Sequence, residues 1–199
     1  MPNPPDLTLS AALLARLRQR YAEPRRYYHS LAHVEALQRW LARYRALAEA
    51  PALIEAAIWF HDAVYDTQRQ DNEIRSATLA RDELGALGWP DAELQRVAAL
   101  VLSTQHHQAE PTDAEAWLFL DLDLSVLGQS AAQYSAYSEA VRAEYAWVEE
   151  SAYGAGRARV LRSFLKREHI YRTPALHEAW EACARRNLRH ELESLRAAE

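Results

Sequence analysis

Apolar residues recur along the chain at intervals of three and four, and runs that alternate every second residue are missing, so the pattern reads as helix throughout. A first helix is expected from about Leu7 to Tyr21, stopping before Pro24, which cannot continue it. A second follows Ser30 as N-cap and carries Val34, Leu37, Leu41 and Tyr44 on one face. Pro51 suits the first turn of a third, which runs into the apolar stretch IWFHDAVY. Asp71 or Asn72 caps a fourth that ends near Gly85 and Gly88, and a fifth starts after WPD and ends at STQHH. Thr112 with Glu115 reads as a capping box for a sixth helix holding WLFLDLDLSVLG. Ser130 with Gln133 repeats that signature for a seventh, and Thr173-Pro174 opens a last long helix. The expectation is an all-α bundle of about eight or nine helices, with residues 1–199 forming one domain.

Composition narrows the class. Hydrophobic residues at 49% and charged residues at 26% belong to a globular chain and not to a disordered one. A net charge of −5 argues against a surface built for extended nucleic acid, while leaving room for a local basic pocket that takes a small anion. Cys183 stands alone, so neither a disulfide framework nor a cysteine zinc site is available within the chain. No apolar run approaches membrane-spanning length, and the start MPNPPDL lacks the charged and apolar regions of a signal peptide. A cytoplasmic protein without a membrane partner is expected.

Some polar residues sit where the apolar pattern asks for core. His33 shares a stripe with Leu37, Leu41 and Tyr44, and His61 shares one with Ile54, Ile58 and Tyr65. Asp62 follows His61, about a quarter turn or slightly more around the helix, so both side chains can reach an ion above that edge. Asp121 and Asp123 are embedded among Phe119, Leu120, Leu122 and Leu124. Each has a bland reading when taken singly: His33 as a hydrogen-bonded core residue, either aspartate as a solvated position on a half-buried helix. Jointly they would leave several polar groups buried without compensation, which a divalent metal between helices supplies.

These residues carry a resemblance. His33, His61-Asp62 and an aspartate in DLDLSVLG resemble the H…HD…D signature of the HD superfamily of metal-dependent phosphohydrolases. The flanking segments YYHSLAHV, WFHDAVYD, DNEIRSA and FLDLDLSVLG are similar to a branch known mainly as predicted HD-family phosphohydrolases. The motifs form a core over residues 27–128, and a helical extension over 129–199, with EYAWV and GRARVLRSFLKREHIYRT, also looks like that branch. The resemblance implies an all-helical HD-type fold with His33, His61 and Asp62 as metal ligands. It implies a last ligand at Asp123, with Asp121 the alternative. Ligands of this mixed kind admit Mn, Fe, Zn, Co, Ni or Mg, as one ion or two. A divalent ion so held lowers the pKa of bound water and polarises a phosphoryl oxygen.

The implied reaction is hydrolysis of a phosphomonoester, phosphodiester or phosphoanhydride in a nucleotide or another small phosphorylated metabolite. Asp66, Asp71 and Glu73 follow closely on the ligands as candidates to orient or deprotonate the attacking water, and helix capping is their equal alternative. His29, Arg26, His106, His107 and Lys166 are candidate substrate contacts. His106 and His107 equally suit a helix C-terminus, and most of the basic residues suit a solvated surface. Tyr27, Tyr28, Trp59 and Trp89 offer stacking faces, although aromatics at helical spacing usually fill a core. Two other functions stay open at this point: a metal- or nucleotide-binding regulatory module without turnover, and a di-iron oxygenase of the HD type. A second copy of the chain, as a homodimer, stays open as a partner.

Overall fold

The structure is a computed structural model that describes residues 7–197; the Pro-rich start, residues 1–6, lies outside the described residues. Among these there are nine α-helices and no strand: α1 (Ala11–Tyr21), α2 (Leu31–Tyr44), α3 (Pro51–Phe60), α4 (Asn72–Ala86), α5 (Asp91–Ser103), α6 (Ala114–Asp123), α7 (Ala131–Glu144), α8 (Glu150–Leu165) and α9 (Pro174–Ala197). The expected all-α class and helix number hold. The chain divides into two compact units, Met1–Leu120 and Asp121–Glu199, and the division falls inside α6. Among the described residues no helix is long and apolar enough to cross a membrane.

In the first unit α3 is the central element, packed against α2, α4 and α5. Its sequence explains this: Leu53, Ile54, Ala56, Ala57, Ile58, Trp59 and Phe60 are all buried, so the helix is apolar on every side rather than along one stripe. Trp59 and Trp89 both belong to this core. The amphipathic α2 contributes His33, Val34, Leu37 and Leu41 from one face, as its periodicity predicts.

Helix ends depend on which side chain reaches the orphan N–H groups. Helix α1 begins four residues later than expected, because Ser10 caps it by accepting the Leu13 N–H at 3.2 Å. For α6 the capping bond comes from Asp113, which accepts the Ala116 N–H at 2.9 Å, and not from Thr112. Glu115 instead accepts the Ala50 N–H at 2.5 Å, at the start of α3. Arg96 explains the preference, since its two terminal nitrogens each donate to Asp113 at 2.6 Å and fix that carboxylate in place. The capping box of Ser130 and Gln133 is present in full. Helix α8 has a glutamate at its N-cap: Glu149 accepts the Ser151 and Ala152 N–H groups.

In the second unit α9 packs against α8 and against the short 3-10 turn Leu124–Gly128 that follows α6. A buried ion pair ties α8 to α9, with Arg157 Nε donating to Glu191 Oε1 at 2.8 Å. Gly128 is required for the approach of α9: a Cβ there would lie 2.4 Å from Trp180 Cβ and 3.1 Å from its Cα. Helix backbone cannot yield as a flexible side chain can. Gly128→Ala is therefore expected to lower stability by about 2 kcal/mol, within the usual cost of overpacking. Chemical denaturation checks this, and an unchanged midpoint would refute the close approach.

Candidate metal centre

The chain brings three of the expected ligands together. His33 in α2, His61 at the C-cap of α3 and Asp62 in the turn that follows each offer one atom to a group whose members lie within 4.8 Å of one another. Both histidines are buried, at 6% and 2% exposure, so their inward direction agrees with the periodicity. His33 Nε2 stands 3.1 Å from His61 Nε2, and Asp62 Oδ2 stands 3.0 Å from the same His61 atom.

The tautomer of His61 decides what this cluster needs. Its Nδ1 lies 2.9 Å from the carbonyl oxygen of Ile58, which can only accept, so Nδ1 carries the hydrogen. A neutral His61 then presents a bare Nε2 lone pair to a carboxylate oxygen at 3.0 Å. Lone pairs facing at that distance repel. A single proton on Nε2 could serve Asp62 or His33, but not both. A cation satisfies all of the converging atoms at once, and an imidazole whose other nitrogen is fixed by a backbone carbonyl is the usual form of a metal-ligating histidine. Two nitrogens and one oxygen suit a borderline divalent ion. Burial alone would raise the pKa of Asp62, but when the imidazoles of His61, His29 and His33 are protonated their charge outweighs it and holds the carboxyl below its ordinary range.

The turn after α3 is held by two side chains of α4, Ser76 and Asn72. Ser76 in α4 is fully buried; its Oγ accepts the Val64 N–H at 3.0 Å and donates to the Val64 carbonyl at 3.3 Å. Asn72 treats Asp66 in the same reciprocal way, accepting its N–H at 3.2 Å and donating to its carbonyl at 2.9 Å. The segment DNEIRSA thus fastens the turn through backbone bonds. The signal for it was Ser76 at an apolar position of α4.

The carboxylates proposed for catalysis differ in commitment. Asp71 forms a two-point pair with Arg69, at 2.7 and 2.6 Å. Asp66 is exposed and its Oδ1 accepts the Gln68 N–H at 2.9 Å, a local turn bond. Glu73, half-buried in the first turn of α4, makes no hydrogen bond or ion pair with any described residue.

His29 is half-buried and stacks on Tyr65, ring centroids 4.3 Å apart, with Tyr28 edge-on at 4.9 Å. It therefore belongs to the surroundings of His33 and Asp62. Arg26, expected as a substrate contact, is buried and its donors go to protein acceptors, among them the Asp62 carbonyl at 2.6 Å. His106 is exposed and His107 half-buried in the turn after α5, where their helix-terminal reading fits. Tyr27 is exposed.

Asp121, Asp123 and Lys166 belong to the second unit. Asp121 is buried, and its carboxylate accepts the Arg172 N–H at 3.1 and 3.0 Å and the Thr173 N–H at 2.6 Å, just before α9. Burial pushes its pKa up to about 6 against the opposing pull of the Thr173 and Arg172 donors. This is an anchor for the start of α9. Asp123 ends α6 half-buried, and Lys166 is an exposed C-cap of α8. No known protein family, no curated protein and no solved structure matches this chain.

Proposed function

We propose that the chain is a metal-dependent phosphohydrolase of the HD type, acting on a nucleotide or another small phosphorylated metabolite. The observation that carries the reading is the bare Nε2 of His61 facing Asp62 Oδ2 at 3.0 Å and His33 Nε2 at 3.1 Å. His33, His61 and Asp62 would hold the ion. Of the two aspartates that the resemblance implies as a further ligand, Asp123 and Asp121, the second has its carboxylate engaged by the N–H groups of Arg172 and Thr173. A bound divalent ion supplies Lewis acidity toward a phosphoryl oxygen and acidifies water. Glu73 takes the proton of the attacking water, and His29, beside His33, binds the phosphate. Each of these roles calls for a polar group that remains partly accessible, which both residues are.

Protein reconstituted separately with Mn, Fe, Zn, Co, Ni and Mg is expected to hydrolyse p-nitrophenyl phosphate or its bis-ester in a metal-dependent way. Histidine must be neutral to ligate, while Asp62 stays ionised well into acid because its pKa is lowered. Metal affinity should therefore fall, and turnover with it, as pH drops below about 6.5, where imidazoles gain their second proton. Titration calorimetry across that range checks the sign. Tight metal binding without turnover of either ester or of nucleoside phosphates would favour a regulatory module. Undiminished affinity at mildly acidic pH would refute a two-histidine site.

A further inference from the structure

We infer that Arg26 is a positioning residue of this centre, acting through the backbone of the turn that carries Asp62; the inference rests on the metal reading above. The C-terminal end of α3 leaves carbonyls without helical partners. Tyr21 takes one, its hydroxyl donating to the Trp59 carbonyl at 3.1 Å. Arg26 takes the carbonyls beyond, with Nη1 donating to Asp62 at 2.6 Å and Nη2 to Ala63 at 3.3 Å. Nη1 also donates to the His29 carbonyl at 3.3 Å, while Nε and Nη2 donate to Glu23 Oε2 at 3.3 and 3.1 Å. All five N–H donors of the guanidinium therefore have acceptors inside the protein.

The consequence is geometric. Fixing the carbonyls of Asp62 and Ala63 fixes the peptide planes on the C-terminal side of Asp62, and with them the direction of its Cα–Cβ bond. The same nitrogen that grips Asp62 also grips His29, four residues before His33. One planar group thereby sets the loop leading into α2 in register with the turn leaving α3. The side chain is only 2% exposed, and it lies 5.3 Å from the Tyr21 ring centroid and 5.5 Å from that of Tyr65. Glu23, whose side chain is 48% exposed, balances its charge, so the cation does not oppose a metal ion unaided. Lysine keeps the charge but has three donors on one nitrogen and cannot span these acceptors.

Cobalt(II) titration of the full chain, followed by absorption, tests the inference. Wild type should bind. Arg26→Lys and Arg26→Met should bind at least about tenfold more weakly, the loss typical when support behind a metal ligand is removed. Arg157→Met breaks the buried pair with Glu191 and is the control: it should melt at lower temperature with cobalt affinity unchanged. Wild-type affinity in the folded Arg26 variants would overturn the inference while leaving the metal centre standing. Absence of cobalt binding by wild type would overturn the metal reading itself. Should both Arg26 variants fail to fold, Glu23→Gln, a change at a largely exposed carboxylate, decides: weaker cobalt binding is expected from the loosened guanidinium, and unchanged affinity would overturn the proposal.

Discussion

Alanine at His61 or Asp62 is expected to abolish stoichiometric metal binding while leaving a folded helical protein. The cluster has three converging donors, and each variant leaves two, with the shared neighbour of the pair removed in His61→Ala. Metal binding to a preformed site also stabilises the fold, by about 2.7 kcal/mol at a metal concentration a hundred times the dissociation constant. That increment should disappear with the site. The two variants should differ in the metal-free state. His61→Ala removes a ring that is 2% exposed and its bond to the Ile58 carbonyl, so a cavity and an unpaired oxygen both lower stability. Asp62 has a side chain 18% exposed and faces a lone pair in the apo protein, so its loss should cost much less. Elemental analysis and melting curves with and without metal separate these terms. Full metal occupancy in both variants would show that the site is misassigned.

The inward faces of His33 and His61 were legible because side-chain direction on a helix follows from spacing alone, and α2 and the end of α3 keep that spacing. Asp62 was legible only as a neighbour. Its exact aim depends on a turn whose shape comes from Arg26, Asn72 and Ser76 bonding to backbone, and no periodicity encodes such bonds. Arg26 illustrates the difficulty: an arginine beside a candidate site reads as an anion contact until its acceptors are seen to be carbonyl oxygens. Asp121 and Asp123 look alike in DLDLSVLG, and the Asp121 carboxylate is engaged by a partner 51 residues away, the Arg172 N–H, which local sequence does not specify. The same holds for the α6 cap. Thr112 and Asp113 are both good N-caps, and Arg96 in α5 favours the aspartate. Helix α8 carries a weak signal in the sequence, because a glutamate caps it and Gly154 and Gly156 interrupt its pattern.

Glu73→Gln is expected to slow turnover about a hundredfold or more with metal content unchanged, the loss typical of a general base. The carboxylates that follow the ligands make different demands on structure, and the bonds they form distinguish them. Asp71 is tied to Arg69 in a pair whose side chains are 43% and 41% exposed, where solvent screens the attraction, so Asp71→Asn should barely change stability and should leave turnover near normal. Asp66 accepts the Gln68 N–H, and Asp66→Asn keeps an oxygen for that bond. Glu73 alone of the three makes no hydrogen bond or ion pair with the described residues, and its side chain has the longest reach. As a first-turn charge it would contribute only about 0.3 to 1 kcal/mol through the helix dipole. A hundredfold loss in rate corresponds to about 2.7 kcal/mol of transition-state stabilisation, more than the dipole can explain. Metal content, melting temperature and turnover measured side by side for Asp66→Asn, Asp71→Asn and Glu73→Gln distinguish the roles. A mild drop in melting temperature with normal turnover in Glu73→Gln would reduce it to a helix-start charge, and normal turnover in all three would remove this group of carboxylates from the chemistry.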